Sequence, residues 1–361
     1  MNRTPDVVVV GDGLIGLASA LALADAGHAV ALVGADRPGQ ASHAAAGMLA
    51  PGVERAAAAV HAFAVRARDR YPDYVAALHE RTGVVVPLNR EGIIELALDD
   101  DRAAALRAGL GADARWLEPD ELARLEPALA PAAGAAFYPD DGAVDNRRLL
   151  DALRHAVARH PRLARTAAPA VDVTPHPARP GVTLADGSGL QPAWLVLAAG
   201  AWTPLLRGLP RPLPIEPVRG QMLAVADVPL RHVVYGAGGY TVPRGDQTLL
   251  GSTMERTGFD VHVTTDGLER VHEVAAAICP ALARAPEVER WAGLRPVTPD
   301  GLPILGPDPE HPHLVYACGH SRNGILLAAL TGDAVAALVG GSAPPGDLAP
   351  FAVTRFATPP G

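Results

Sequence analysis

The 361-residue chain contains no lysine; all 31 of its basic side chains are arginine. That absence removes a P-loop lysine and a lysine Schiff base, and with them simple P-loop NTPases and pyridoxal-phosphate enzymes. Cysteine is nearly absent as well. Cys279 and Cys318 are too few for a disulfide framework and stand at no metal-ligand spacing, so both are expected as small buried apolar residues. Positive charge is outnumbered: a formal charge of −8 and a pI near 5.9 argue against nucleic acid as a partner. No apolar run reaches the length of a membrane span, because Arg, Asp, Pro and Gly interrupt the alanine-rich segments. No basic n-region with an apolar h-region and cleavage site is found either. A soluble cytoplasmic protein without a membrane partner is expected. What the chain has in quantity is apolar: 49% of its residues are hydrophobic, enough for a full core. Its length suits about two domains.

The rest of the chain is organised around Val7-Val-Val-Val-Gly11-Asp12-Gly13-Leu14-Ile15-Gly16. A β-branched run ends on Gly11 and an apolar-periodic segment follows at once, with Gly27 as its C-cap and a second strand over residues 29–33. In a strand–turn–helix setting, G-x-G-x-x-G has a mechanism. Gly11 makes the tight turn, Gly13 lets a pyrophosphate approach the backbone, and Gly16 lets the helix pack on the strand. Leu14 and Ile15 open the helix, whose N-terminus offers free N–H groups to the phosphates. One position breaks the pattern. An acid about 20 residues on normally holds the ribose, but Gly34 stands where it is expected and Asp36 lies two positions later. Either Asp36 reaches back to the ribose or other segments hold the cofactor.

Residues 38–51 are rich in Ala and Gly. They read either as a linker or as backbone pressed against a flat ligand. A long helix is expected over 54–82, strands over 84–86 and 93–97, and helices over 101–110 and from Pro119. A strand at 135–138 precedes an amphipathic helix after Asn146. The run Trp194-Leu-Val-Leu-Ala-Ala-Gly200 reads as a strand buried on both faces. Between 218 and 254 the texture changes to short alternating strands (221–225, 240–242, 248–251), which suggests an antiparallel sheet. A helix over 268–277 interrupts it, and a strand, Gly319 and a helix over 325–338 repeat the opening pattern. The fold class is thus α/β. A parallel-sheet domain comes from residues 1–85, 142–208 and 292–361. An antiparallel-sheet substrate domain is inserted as 86–141 and 209–291.

Seven motifs now occur in the order found in glycine oxidases. They are Val7 to Gly16, Ala41-Ser-His-Ala-Ala-Ala-Gly-Met-Leu-Ala-Pro51, Val218-Arg-Gly-Gln221, Tyr240-Thr-Val-Pro-Arg244, Gly251-Ser-Thr-Met254, Trp291-Ala-Gly-Leu-Arg-Pro296 and Gly319-His-Ser-Arg-Asn-Gly-Ile-Leu-Leu327. Across its whole length the chain resembles these FAD enzymes of the D-amino acid oxidase group, whose bacterial members often serve thiamin thiazole synthesis. The resemblance implies a FAD-binding Rossmann-like domain with an inserted substrate domain. It gives the pyrophosphate to Gly11 through Gly16. Ala41, Ser42, Ala46, Gly47 and Met48 are implied beside the ribityl chain and isoalloxazine. Val171 would hold the adenine through its backbone, and Gly200 would lie against the cofactor. His320, Arg322, Asn323, Gly324, Ile325 and Leu326 would close over the flavin, with N–H groups at a helix start facing the reduced ring. A helix-capping or core histidine is the plain alternative for His320. A cysteine near Gly293 would attach the flavin covalently; none stands there, so FAD is expected to be noncovalent.

In the substrate pocket the resemblance makes Arg295 the carboxylate-binding arginine, since a guanidinium offers a two-pronged donor to a planar carboxylate. Tyr240 would touch the same carboxylate, and Arg322 would orient the substrate from beside the flavin. Met222 and Met254 are either pocket walls or core. Gly238 stands where a glycine oxidase can carry a bulky residue, which would open the pocket to larger substrates. No acid or base stands out to be placed over the substrate. That suits hydride transfer from the Cα–H of the neutral amine to flavin N5. The products would be an imine, hydrolysed to a 2-oxo acid and ammonia, and hydrogen peroxide from dioxygen. A D-amino acid dehydrogenase, a biosynthetic tailoring amine oxidase and a flavin-binding module without turnover are the competing readings. The family's habit implies a dimer or tetramer.

Overall fold

Four consecutive valines, Val7–Val10, form β1 at the heart of a six-stranded sheet, each at most 3% exposed. Burial of each such side chain contributes about 1.5–3 kcal/mol, and a strand apolar on both faces is stable only inside a sheet covered on both sides. The structure, a computed structural model, describes residues 5–54, 58–226 and 230–356. The sheet order is Ile304–Pro307, Leu314–Cys318, Trp194–Leu197, β1, β2 (Val30–Val33) and Leu163–Thr166. All neighbours are parallel except the outermost pair, Ile304–Pro307 with Leu314–Cys318.

Helix α1 (Leu14–Asp25) is apolar nearly all round because it is enclosed. It packs between the sheet and the helices Asn146–Arg159 and Gly324–Val339. The last crossing is close: a Cβ on Gly332 would lie 2.8 Å from the Ala18 carbonyl oxygen. At its far end α1 stops at Gly27, whose φ of +98° a glycine adopts freely. The other face of the sheet is covered by a three-stranded sheet, Ala170–Thr174, Gly181–Leu184 and Gly189–Leu190.

The second large sheet has eight strands in the order Glu287–Val297, Glu216–Ala226, Gln247–Gly251, Gly239–Arg244, Val233–Gly236, Ile93–Ala97, Gly134–Tyr138 and Arg115–Leu117. It is not wholly antiparallel. Val233–Gly236 and Ile93–Ala97 run parallel at the seam between the two stretches of chain that build it, where no hairpin forces reversal. Side chains alternate across this sheet: Leu223 and Val225 pack under the helix Thr265–Ile278, while Met222, Ala224 and Tyr240 face the other way.

Two local expectations fail. The single helix over 54–82 is divided into Pro51–Glu54, Ala58–Asp69 and Tyr71–Thr82, with residues 55–57 outside the described residues. Pro72 has no N–H to continue the ladder across Arg70. Residues 84–86 form no strand; beyond Gly83 (φ +74°) only Leu88–Asn89 pairs, with Gly142–Val144.

Candidate active site

A cavity of about 930 Å³ is lined from both large sheets, at the upper end of the usual range for ligand sites. At one end lies the glycine loop, with Gly11, Gly13, Leu14 and Ile15 on its wall. Gly11 has φ +109°, and a Cβ there would sit 2.3 Å from the Ala198 carbonyl oxygen. Gly16 does not line the cavity. A Cβ on it would lie 1.7 Å from the Gly11 carbonyl oxygen, so its role is to let α1 close on the turn. The Leu14 N–H donates to Ser42 Oγ at 2.9 Å, pinning the small-residue segment to the helix start. No acidic side chain occupies the first turn of α1, so its other N–H groups are available to an anion.

Ala41, Ser42, Ala46, Gly47 and Met48 all line the cavity, as do Val171 and Gly200. The chain presses close here: Cβ atoms on Gly47 and Gly293 would lie 2.0 Å from the Val144 carbonyl oxygen and 2.2 Å from Ala44 Cβ. Strand register slips between Ala170 and Asp172, which leaves Val171 out of the ladder, its carbonyl accepting from the Arg207 N–H at 3.1 Å. Asp36 is placed elsewhere. The chain has left the sheet by that point, and its carboxylate is 83% exposed and 3.8 Å from Arg154, off the cavity wall.

The last motif brings His320, Arg322, Gly324 and Ile325 to the wall. Asn323 is the helix N-cap, off the wall, with its carbonyl accepting from the Leu327 N–H; the Leu326 side chain is buried in the core behind. No side chain caps this helix and no acid sits in its first turn, so its N–H groups face a ligand with their positive end. His320 is buried, and Nε2 is 3.1 Å from Thr331 Oγ1. Burial pushes its pKa down to about 3, so it is neutral at physiological pH.

At the opposite end Arg295 lies half-buried. Its Nη2 donates to Ser252 Oγ at 2.5 Å and its Nη1 to the Thr253 carbonyl at 3.2 Å. The Tyr240 hydroxyl donates to the same Ser252 Oγ at 3.1 Å and lies 3.3 Å from Met222 Sδ. Met222 is thus a buried wall, whereas Met254 stands at the mouth, 56% exposed. Arg322 donates to Glu54 Oε1 at 2.8 Å, an oxygen that also accepts from the Tyr235 hydroxyl at 3.4 Å. Among the described residues, Arg295 has no such carboxylate partner. Ser252, Tyr235 and Glu54 carry no role in the sequence reading. Ser252 was within reach, because it stands inside the Gly251-Ser-Thr-Met254 motif.

The DAO family of FAD-dependent oxidoreductases matches residues 6–338. The chain belongs to that family. It is 36% identical to the glycine oxidase of Geobacillus kaustophilus, over 98% of each chain. It is 34% identical to the bifunctional protein ThiO/ThiG of Synechocystis over 94% of its own length, spanning 52% of that protein. The crystal structure of the Geobacillus kaustophilus glycine oxidase is similar with a TM-score of 0.91, covering 98% of this chain and 99% of that one.

The residues present fit FAD, the cofactor of the family. Two helix N-termini with no acid in their first turns lie at one cavity, and the loop of Gly11 and Gly13 between β1 and α1 lines it, with no room for a side chain at Gly11. The small side chains between Ala41 and Met48 suit a flat ring system, and Arg295 puts a positive charge on the same cavity wall.

Proposed function

We propose that the protein oxidatively deaminates glycine or a similar small primary, secondary or D-amino acid, giving the 2-oxo acid, ammonia and hydrogen peroxide. The observation that carries this reading is Arg295, without a carboxylate partner among the described residues and held by Ser252 and Thr253 on the wall of the FAD cavity. The names of the relatives point the same way. A guanidinium has five N–H donors; each terminal nitrogen of Arg295 uses one and keeps one, a ready fork for a carboxylate. Tyr240, tied to the same serine, closes the carboxylate from the side. Arg322 is neutralised by Glu54 and orients rather than adds charge.

The chemistry that FAD supplies when bound is acceptance of a hydride from the substrate Cα and delivery of the electrons to dioxygen. This chain's part is alignment. His320 is neutral with Nε2 engaged, and burial and the neighbouring Glu54 hold the Tyr235 hydroxyl protonated, so neither serves as a base. Glu95 accepts from Arg102 at 2.7 Å and from the Tyr138 hydroxyl at 3.2 Å. Departure of the Cα hydrogen as hydride needs no base, which agrees with this wall. Gly238 (φ +86°), whose Cβ would meet nothing within 4 Å, favours substrates with a side chain.

FAD is proposed to be noncovalent, in keeping with the lack of room for any side chain at Gly293. The division of the chain at residues 85, 141, 208 and 291, a homo-oligomeric state, a cytoplasmic setting and a thiazole-supplying role remain parts of the same proposal. Among the described residues no helix is long and apolar enough to cross a membrane. The test is a visible spectrum of the purified protein, repeated after anaerobic addition of glycine, sarcosine and a panel of D-amino acids. Bleaching of the flavin by one of them, with peroxide formed in air, is the expected result. A flavin that none of them bleaches overturns the reading. Bleaching without peroxide in air would make the protein a dehydrogenase.

A further inference from the structure

β2 ends at Val33, and the next residue, Gly34, has no side chain with which to hold a ribose. The space above Gly34 is nevertheless filled. A Cβ on Gly34 would lie 2.3 Å from Asp12 Cγ, 2.4 Å from Asp12 Oδ1 and 2.6 Å from Asp12 Cβ. The carboxylate of the residue between the first two glycines of the loop therefore occupies the root of the position that an acid at 34 would take. With a side chain at 34, that of Asp12 would have to move.

Asp12 is 5% exposed and lines the cavity together with Gly34 and Ala35. A buried carboxylate is costly unless paired, and Arg165 Nη2 donates to its Oδ2 at 2.5 Å. Arg165 comes from the strand beside β2, in register with Leu32, and is not on the cavity wall. Oδ1 is the oxygen turned toward Gly34, itself a residue of the cavity wall. Glu95 and Asp99, the other carboxylates on the cavity wall among the described residues, belong to the second large sheet and the loop after it.

We infer that Asp12 takes over the role of the missing acid: its carboxylate accepts hydrogen bonds from the ribose hydroxyls at the adenosine end of FAD, and Gly34 supplies the room it needs. Between two glycines whose backbone serves the pyrophosphate, the side chain of residue 12 is free to lean sideways onto the end of β2. The loop thus carries both the phosphate contact and the ribose contact that the fold usually divides between two strands. This inference rests on placing the glycine loop at the dinucleotide end of FAD.

The test is FAD binding to apoprotein, read by quenching of flavin fluorescence, which needs no turnover. Wild-type apoprotein is titrated with FAD and with an analogue whose adenosine carries neither a 2′ nor a 3′ hydroxyl. The expected result is at least about tenfold weaker binding of the analogue, the usual effect of losing a hydrogen bond to a charged group. Asp12→Asn should weaken FAD by a similar factor while leaving the analogue nearly unchanged. Gly34→Glu alone should bind FAD worse than wild type because it collides with Asp12, and the double variant Asp12→Gly, Gly34→Glu should recover to within about threefold of wild type. Equal wild-type affinity for FAD and the analogue overturns the inference, and this comparison depends on no variant's folding. Equal loss of both ligands in Asp12→Asn would make Asp12 a brace for Arg165 only. Wild-type apoprotein that takes up no FAD at all would instead remove the cofactor placement itself.

Discussion

A Cβ on Gly220 would lie 2.1 Å from Nη1 and 2.4 Å from Nη2 of Arg295. The guanidinium thus lies across the backbone of the neighbouring strand, and only a bare Cα at 220 lets it stay there. Gly220→Ala is expected to displace the fork without removing its charge. The KM for the amino acid should rise about tenfold, since small misplacements of a positioning group are costly, while FAD content stays the same. Steady-state kinetics with a flavin spectrum as control checks this, and an unchanged KM would show that the guanidinium's position over Gly220 does not matter to the substrate.

Arg295 and Arg322 are expected to differ sharply on truncation. Arg295→Ala removes the only positive charge proposed for the substrate carboxylate and should lower kcat/KM by about 2–5 kcal/mol in transition-state terms. Arg322 shares its charge with Glu54 at 2.8 Å, Arg322 being about half exposed and Glu54 mostly buried, so it has little free charge to offer a substrate. Arg322→Ala should therefore lose no more than about fivefold. Equal losses in both variants would mean that the carboxylate is held by the two arginines jointly.

The six-stranded sheet and its helices were legible because they are written locally. Val7–Val10, Gly11 and the apolar helix after it declare strand, turn and helix within a few residues, and Leu314–Cys318, Gly319 and the helix behind repeat the statement. The eight-stranded sheet is written in contacts between distant strands. Nothing near Ser252 in the sequence reveals that it joins Tyr240 to Arg295, since the three residues lie on or beside strands that only the sheet order brings together. Asp12 escaped notice for the converse reason: it stands at the unconstrained position of a motif read for its glycines. For Asp36, two positions past the expected acid, spacing leaves open whether it reaches back to the ribose; its side chain instead stands exposed, 3.8 Å from Arg154.

Gly238 is expected to set how large a substrate the site accepts. Gly238→Met would fill open space, at a cost of about 1 kcal/mol in stability or more, because φ +86° disfavours a side chain. Activity on a bulky D-amino acid should fall about tenfold or more, whereas glycine should stay within about threefold. Parallel losses on both substrates would place Gly238 away from the substrate side chain.

His320 predicts a specific acid sensitivity. Burial holds its folded-state pKa near 3, against 6.5 for an exposed imidazole. A base whose pKa is depressed by folding contributes stability that is complete above pH 6.5 and is lost as the pH falls toward 3. Between pH 7 and pH 5 the loss from this one group comes to about 2 kcal/mol. His320→Gln can still reach Thr331 Oγ1 but has nothing to protonate in that window. Urea unfolding at the two pH values should therefore show the wild type losing about 2 kcal/mol more than the variant on acidification. The carboxylates titrate alike in both proteins and cancel in the difference. Equal losses would mean that the imidazole takes up its proton without leaving its place beside Thr331, and that the cavity wall admits water at that point.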